Sequence, residues 1–527
     1  MKRRTFLASI GAGLAMPAIV RSEEVSTLRF IPQVDLTFTD PHFTTAYPTR
    51  THGYMVYDTL YGLDANLRPS PQMLEGHAVE RDGKLWKLTL RSGLLWHDGE
   101  RVLARDCVAS INRWAKRDLF GGALMAATDE LSATDDRTIQ FRLKKPFPLL
   151  PNALGKVGSP MCAMMPERLA TTDPFKHVSE IVGSGPFRFV AAERLQGSRN
   201  VYARFEKYKP RDSGPQEWTA GPKIVHFDRV IWTTIPDQAT ATAALQNNEQ
   251  HWLEHATHDL LPLMRRNPNL TVSVIEVTGD LQMMRPNHAH PPFNNPAIRR
   301  AVLSAIDQRR FMEAVVGNNP ADYYWPLGYF TPKTPMASEV ALESLRRPPD
   351  LDAARQALKA AGYAGERVVL MAPTDLSHLK QTGDVAADLL KRLGMNVDYV
   401  ATDFGSMLQR RNNTGPVESG GWSCFVTAWG GMDHVDPAVH QPLRGNGGSP
   451  GAWAGSFVSP RMEELRQAWF EAPDLASQQA ICADMQKLGM EQVPYFPLGA
   501  FTFSTATRRD IVGLRNGFAM FWNVRRA

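Results

Sequence analysis

The chain has 527 residues, of which 43% are hydrophobic, 21% charged and 9% aromatic. These proportions exclude a disordered chain, a collagen-like fibre and a short disulfide scaffold, and the length asks for roughly two to four domains. The formal charge of +5 is local: Lys2, Arg3, Arg4 and Arg21 lie in the first 22 positions, which hold no acid, and the remaining 55 basic residues face 54 acidic ones. Without a basic excess or a long basic run, no nucleic-acid partner is expected.

The first 22 residues have the order of an export signal. A basic head is followed by an apolar stretch from Phe6 to Val20, then by small residues and Pro17. Arg3-Arg4-Thr5-Phe6-Leu7 resembles the twin-arginine signal, which exports folded proteins. The apolar stretch is short for a membrane span. No cysteine stands near the cleavage region, so a soluble periplasmic chain, not a lipoprotein, is expected to begin near Glu23. Cys107, Cys162, Cys424 and Cys482 form no CxxC pair and read as small buried hydrophobes.

The chain then alternates strands and helices. Gly53 to Leu60 reads as a short helix. Val79 to Arg91 reads as a hairpin about Asp82-Gly83, a preferred tight-turn pair, with Trp86, Leu88 and Leu90 on one face. A helix over Ala104 to Lys116 and a second hairpin at Asp135-Asp136 follow. Gly183-Ser184-Gly185-Pro186 is a loop; it lacks the Lys and following helix of a phosphate loop. Val230 and Trp232 lie in a strand, Asp237 caps a helix to about Asn247, and Thr271 to Val277 is another strand. Further on, Asn295-Pro296 and Asp350 open helices. Arg367 to Met371, Thr382 to Leu393 and Asn396 to Ala401 read as strand, helix, strand, with Cys424 to Ala428 as the next strand. This is a βαβ pattern and predicts a partly parallel sheet.

In open α/β sheets, ligands sit beyond the carboxyl ends of the strands. Here those ends are Pro373–Asp375, Thr402–Asp403 and Trp429–Asp436. The last, AWGGMDHVDP, joins glycines, an aromatic and two acids. Trp429 can cover a ligand there, and Asp433 or Asp436 can neutralise a cation such as an amino terminus; the alternative is a polar loop turning at Asp436-Pro437. Among other chemistry, His251-Trp252-Leu253-Glu254-His255 matches HxxEH, a zinc-hydrolase pattern, with His258 beyond. Asn247-Asn248 reads as a helix end, however, which puts His251 at the start of a strand rather than on a helix. His288 and His290 flank a proline-rich stretch and read as surface loop or metal ligands. No catalytic residues, metal or cofactor are expected.

Several stretches jointly resemble the periplasmic solute-binding proteins of ATP-driven importers, family 5, the peptide/nickel-binding group. They are Val34–His42, Val56-Tyr57-Asp58-Thr59-Leu60-Tyr61-Gly62-Leu63, Pro69–Glu75, Leu90–Gly93 with Trp96–Glu100, Ala104–Val108, Gly183–Phe187, and Pro292–Asn295 with Arg299–Asp307. The resemblance implies an α/β, two-lobed clamshell of type II (the large cluster C form), with an extra sub-domain on the N-terminal lobe. The implied division is a signal peptide at 1–22; a discontinuous N-terminal lobe of 23–61, 182–283 and 492–527; the sub-domain at 62–181; and a second lobe at 284–491. It also implies a monomer that holds a peptide or similar amine-bearing solute between its lobes. Delivery would be to an inner-membrane ABC permease with its ATPase subunits. A nickel-complex or opine-like solute is the alternative within the family, and a secreted zinc hydrolase a distant one outside it. Carried over by position, Asp433 grips the ligand ammonium, Asp436 is its substitute, and Trp429 and Trp252 face the cleft. Arg410 and Arg411 are spatially plausible carboxylate ligands.

Overall fold

The computed structural model describes residues 25–214, 216–449 and 452–527; the expected signal at 1–22 lies outside them. Two sheets organise the chain. A seven-stranded sheet runs in the order Leu270–Ser273, Ser504–Arg508, Trp252–Ala256, Thr27–Ile31, Arg229–Thr233, Arg199–Arg204 and Phe187–Phe189. Thr27–Ile31 is parallel to both neighbours and the other pairs are antiparallel. A six-stranded sheet runs Tyr323–Tyr324, Phe496–Phe501, Asp280–Pro286, Cys424–Gly430, Arg367–Pro373 and Asn396–Thr402. Its last three strands are parallel, as the βαβ pattern requires. A separate four-stranded antiparallel sheet contains both predicted hairpins, as Leu74–Glu80, Leu85–Leu90, Thr138–Leu143 and Thr128–Ala133. In the first turn Arg81, Asp82 and Gly83 all take positive φ, at 53°, 53° and 82°, a conformation that glycine and aspartate tolerate best.

Local signals position most helices. Asp237 accepts Thr240 N–H at 2.7 Å, and Asn295 accepts Ala297 N–H at 2.9 Å with Pro296 next. Asp350 takes two N–H groups at 3.0 Å. Each side chain satisfies donors that the helix itself leaves bare. Gly394 ends helix Ser377–Arg392 with φ of 84°. The helix expected over 53–60 instead spans Tyr47–Val56, and Tyr57 turns extended at φ −109° and ψ 156°.

The chain crosses between the large sheets at residues 274–279 and again at 502–503. The strand expected over 271–277 therefore stops at Ser273. Strands Asp280–Pro286 and Phe496–Phe501 pair in the second sheet, whereas the expected division put 280–283 and 492–501 in the first lobe. The lobe cores are aromatic. Phe30 packs on Trp252 and Phe521 at centroid distances of 5.1 and 4.9 Å. Trp252 is 1% exposed and its indole N–H donates to Thr505 Oγ1 at 2.7 Å. Trp252 thus holds the first lobe together and does not face the cleft, contrary to the expectation. All four cysteines are buried and unbridged.

Candidate functional site

Strand Cys424–Gly430 lies next to Asp280–Pro286, with Gly430 opposite Asp280, so its carboxyl end abuts the place where the chain enters the second lobe. Gly430 and Gly431 make the approach possible. A Cβ on Gly430 would sit 2.9 Å from Tyr47 Oη, and one on Gly431 would sit 2.2 Å from Thr278 O. The other two strand ends do not contribute. Asp375 accepts Phe404 N–H at 2.9 Å and Asp403 accepts Ser406 N–H at 2.8 Å, so both carboxylates are spent on backbone.

Past these glycines Asp433 is 5% exposed and accepts the Tyr47 hydroxyl at 2.8 Å. The same hydroxyl oxygen accepts Gly430 N–H at 2.5 Å. Tyr47 opens a first-lobe helix, so this bond spans the lobes. Burial raises the Asp433 pKa, opposed by the Tyr47 bond and the charges of Arg50 and Lys156. The adjacent His434 cannot serve as counter-ion: it is fully buried, stacked on His440 at 4.0 Å, and burial holds its pKa far below the usual imidazole range. Gly158 lies against the carboxylate, where a Cβ would fall 2.6 Å from Asp433 Oδ1.

Asp433 and Trp429 both line a cavity of about 940 Å³ between the lobes. The size suits a solute of a few residues, since ligand sites run to ~300–1,000 Å³. Its first-lobe wall includes Arg117, Asp118, Phe147 and Lys156; the facing wall includes Arg444, Arg466 and Phe470. The lobes meet across its mouth. Phe147 stacks on Phe470 at 5.8 Å, and Lys145 pairs with Glu471. A second space of about 60 Å³ lies at the crossing, walled by Arg50, Glu254, Glu276 and Asp280 among others.

The remaining expected residues go elsewhere. Asp436 does not line the cavity; its Oδ1 accepts Ala438 and Val439 N–H at 2.8 and 3.3 Å, which makes it a turn former. Arg410 donates to Gly420 and Gly421 carbonyls at 3.1 and 3.0 Å, and Arg411 lies in the same loop region, so neither reaches the cavity. In the HxxEH stretch, His251 bonds the backbone N–H and guanidinium of Arg29 at 3.1 and 3.0 Å. Glu254 accepts Gln33 N–H at 2.7 Å, and His255 stacks on Phe503 at 4.0 Å. His258 packs edge-on to Phe501. His288 and His290 bond the Pro494 and Thr414 carbonyls at 3.0 and 2.8 Å. Among the described residues no three His, Cys, Asp or Glu side chains are gathered to hold a metal ion. Sequence reasoning missed Tyr47, Lys156 and Arg466. Each is far in sequence from Asp433, and no local pattern marks it.

A model of the bacterial extracellular solute-binding proteins, family 5 Middle, matches residues 68–451. The chain belongs to this family. A relative from Sinorhizobium fredii, named a probable peptide ABC transporter periplasmic-binding protein, is 34% identical over 100% of this chain and 99% of its own. The glutathione-binding protein of Pectobacterium atrosepticum is 24% identical, covering 97% and 95%. Among solved structures, the periplasmic binding protein AgaA of A. tumefaciens R10 with agropinic acid superposes with a TM-score of 0.79 at 18% identity, covering 95% and 99%. DppA of Helicobacter pylori with the peptide STSA gives 0.78 at 20%, covering 95% and 98%. These likenesses establish the two-lobed periplasmic-binding-protein fold for this family 5 chain. Among the described residues no helix is long and apolar enough to cross a membrane.

Proposed function

We propose that this family 5 protein is the extracytoplasmic solute-binding component of an ABC importer. It captures a peptide or a similar amine-bearing small solute between its lobes and hands it to a membrane permease and its ATPase. In this reading the chain is a monomeric binding protein rather than an enzyme, leaves the cytoplasm through the twin-arginine route, and works in the periplasm without a lipid anchor. The observation that carries the reading is Asp433: a buried carboxylate on the cavity wall, beside Trp429, with a hydroxyl but, among the described residues, no cationic side chain bonded to it. An ammonium group on the solute supplies the missing charge, and the pairing is strong because the site excludes water. Main-chain polar groups of a peptide add affinity with little demand on side-chain identity. The peptide-binding names of relatives support the same class.

Capture then follows from geometry. Tyr47 and Asp433, and Phe147 and Phe470, come from opposite lobes, so a solute that bridges the walls favours the closed arrangement. The test is Asp433→Ala, measured by calorimetry with tripeptides. Affinity for free-amine peptides should fall at least about a hundredfold, while N-acetylated peptides, already weak, should change little. Unchanged affinity of the variant for free-amine peptides rejects the assignment.

A further inference from the structure

The acid of the cleft leaves its cations unexplained. Arg466, on helix Pro460–Glu471, lines the cavity although it is only 9% exposed. Its Nε donates to Pro437 O at 2.9 Å and its Nη2 to Ala438 O at 3.5 Å. Among the described residues Nη1 has no protein acceptor and no carboxylate lies within 4.0 Å of the guanidinium. Burial and the neighbouring Arg444 lower its pKa to about 10, which leaves it charged at neutral pH. The guanidinium also lies over the Phe470 ring, 4.8 Å from its centroid, and a buried cation held only by carbonyls and a ring face is costly unless an anion joins it.

The other cations of the wall separate into two groups. Lys145 pairs with Glu471, Lys156 with Asp118, and Arg444 with both oxygens of Glu463 at 2.8–3.0 Å. Those charges are answered within the protein. Arg117 is not: it donates to Phe43 O at 2.8 Å and lies over the Phe43 and Phe175 rings. Lys116 is exposed at the rim. Among the described residues the cavity wall therefore presents one acid with no cation bonded to it, Asp433, against Arg466, Arg117 and Lys116 with no carboxylate within 4.0 Å; Glu463, Asp436 and Asp118 act on Arg466 only from farther off.

Building on the solute-site reading above, we propose that Arg466 is the anion receptor of this cleft and that its solute is a small amino compound bearing two or more carboxylates. The ammonium goes to Asp433. The carboxylate beyond the terminal one, on a side chain or an N-linked arm, goes to the Arg466 fork, whose planar donors match it. The excess of negative charge answers Arg117 and Lys116. An acidic peptide and an N-carboxyalkyl amino acid share this chemistry.

The test is calorimetry on the mature protein with three probes: Ala-Glu-Ala, its isostere Ala-Gln-Ala with an uncharged side chain, and an N-carboxyalkyl glutamate. Wild type should bind the acidic tripeptide at least about tenfold more tightly than the isostere. Arg466→Gln should erase that preference and leave affinity for the isostere within about threefold, while Arg466→Lys should keep part of it. Preference for the N-carboxyalkyl compound over the acidic tripeptide points to an opine-like source, and the reverse to a peptide. Should Arg466→Gln fail to fold by circular dichroism, the wild-type comparison decides alone. Equal binding of acid and isostere by wild type, or an equal loss for both in Arg466→Gln, overturns the inference and leaves the importer reading standing. Binding of no probe overturns the amine-solute reading and this inference together.

Discussion

Two spaces lie between the lobes, and they treat charge in opposite ways. The space at the crossing holds Glu254, Glu276 and Asp280 around one cation, Arg50. At about 60 Å³ it has no room for a solute. Its carboxylates must therefore be satisfied from within: Glu254 by Gln33 N–H at 2.7 Å, Glu276 by the Thr278 hydroxyl at 2.6 Å, and Asp280 by Gln282. Arg50 is 3.9 Å from Glu276 and lies over the Tyr47 and Phe518 rings. Burial raises Glu254 and Asp280 to about 7, so these acids are in part protonated near neutrality. The cleft, at about 940 Å³, has room for a partner. There the unanswered groups are mainly cations, and an incoming molecule can supply the countercharge. In the small space the acids are met by protons and internal donors; in the cleft the unpaired cations are left for a ligand to answer.

The comparison can be broken most sharply at the crossing. Glu254 has its pKa raised from 4.5 to about 7 by burial. Below pH 4.5 the carboxyl is protonated in both states and contributes no difference. As pH rises from there toward 7, the unfolded chain releases the proton while the folded chain retains it, so stability falls; above 7 the loss is complete. At ~1.4 kcal/mol per unit the loss is about 3 kcal/mol. Glu254→Gln, which keeps an oxygen for Gln33 N–H, should match wild type at pH 4 and exceed it by up to about 3 kcal/mol at pH 8. Urea unfolding at both values checks this, and a gap independent of pH contradicts it.

Tyr47 joins the two spaces and gives the next largest effect. Tyr47→Phe strips Asp433 of its donor and Gly430 N–H of its acceptor. Solute affinity should drop about tenfold by calorimetry, the scale of one buried hydrogen bond to a charged group. Tighter binding would instead mean that the hydroxyl competes with the solute for Asp433. The smallest effect belongs to the mouth. Lys145 and Glu471 are 48% and 52% exposed in their side chains. Lys145→Ala should weaken binding by less than about fivefold, and the difference should vanish at high salt.

Residues with local partners were legible in the sequence. Asp237, Asn295 and Asp350 cap their own helices. The strand-end rule pointed to Trp429 and Asp433, which do line the cavity, because a parallel strand leads to it. It overreached at Asp375 and Asp403, whose neighbours consume them. Trp252, carried over by position from the family resemblance, does not reach the cleft, because both faces of its strand are buried: Trp252 and Leu253 are each 1% exposed. The strand over 271–277 overran for a different reason. Val274 and Val277 continue the apolar pattern but stand 39% and 44% exposed on the crossing. Tyr47 and Arg466 carry no local signature at all, since their meaning lies in what the opposite wall brings to them.

Strand Ser504–Arg508 lies between Trp252–Ala256 and Leu270–Ser273, bonded to both. The sheet that begins with residue 27 is thus completed only by residues 504–508. A product cut short before residue 504 would leave two bare strand edges facing an empty slot, which is a template for pairing between copies. The first lobe therefore depends on a strand made long after residue 27, and chains cut short before residue 504 should betray themselves by aggregation before any defect in capture is felt.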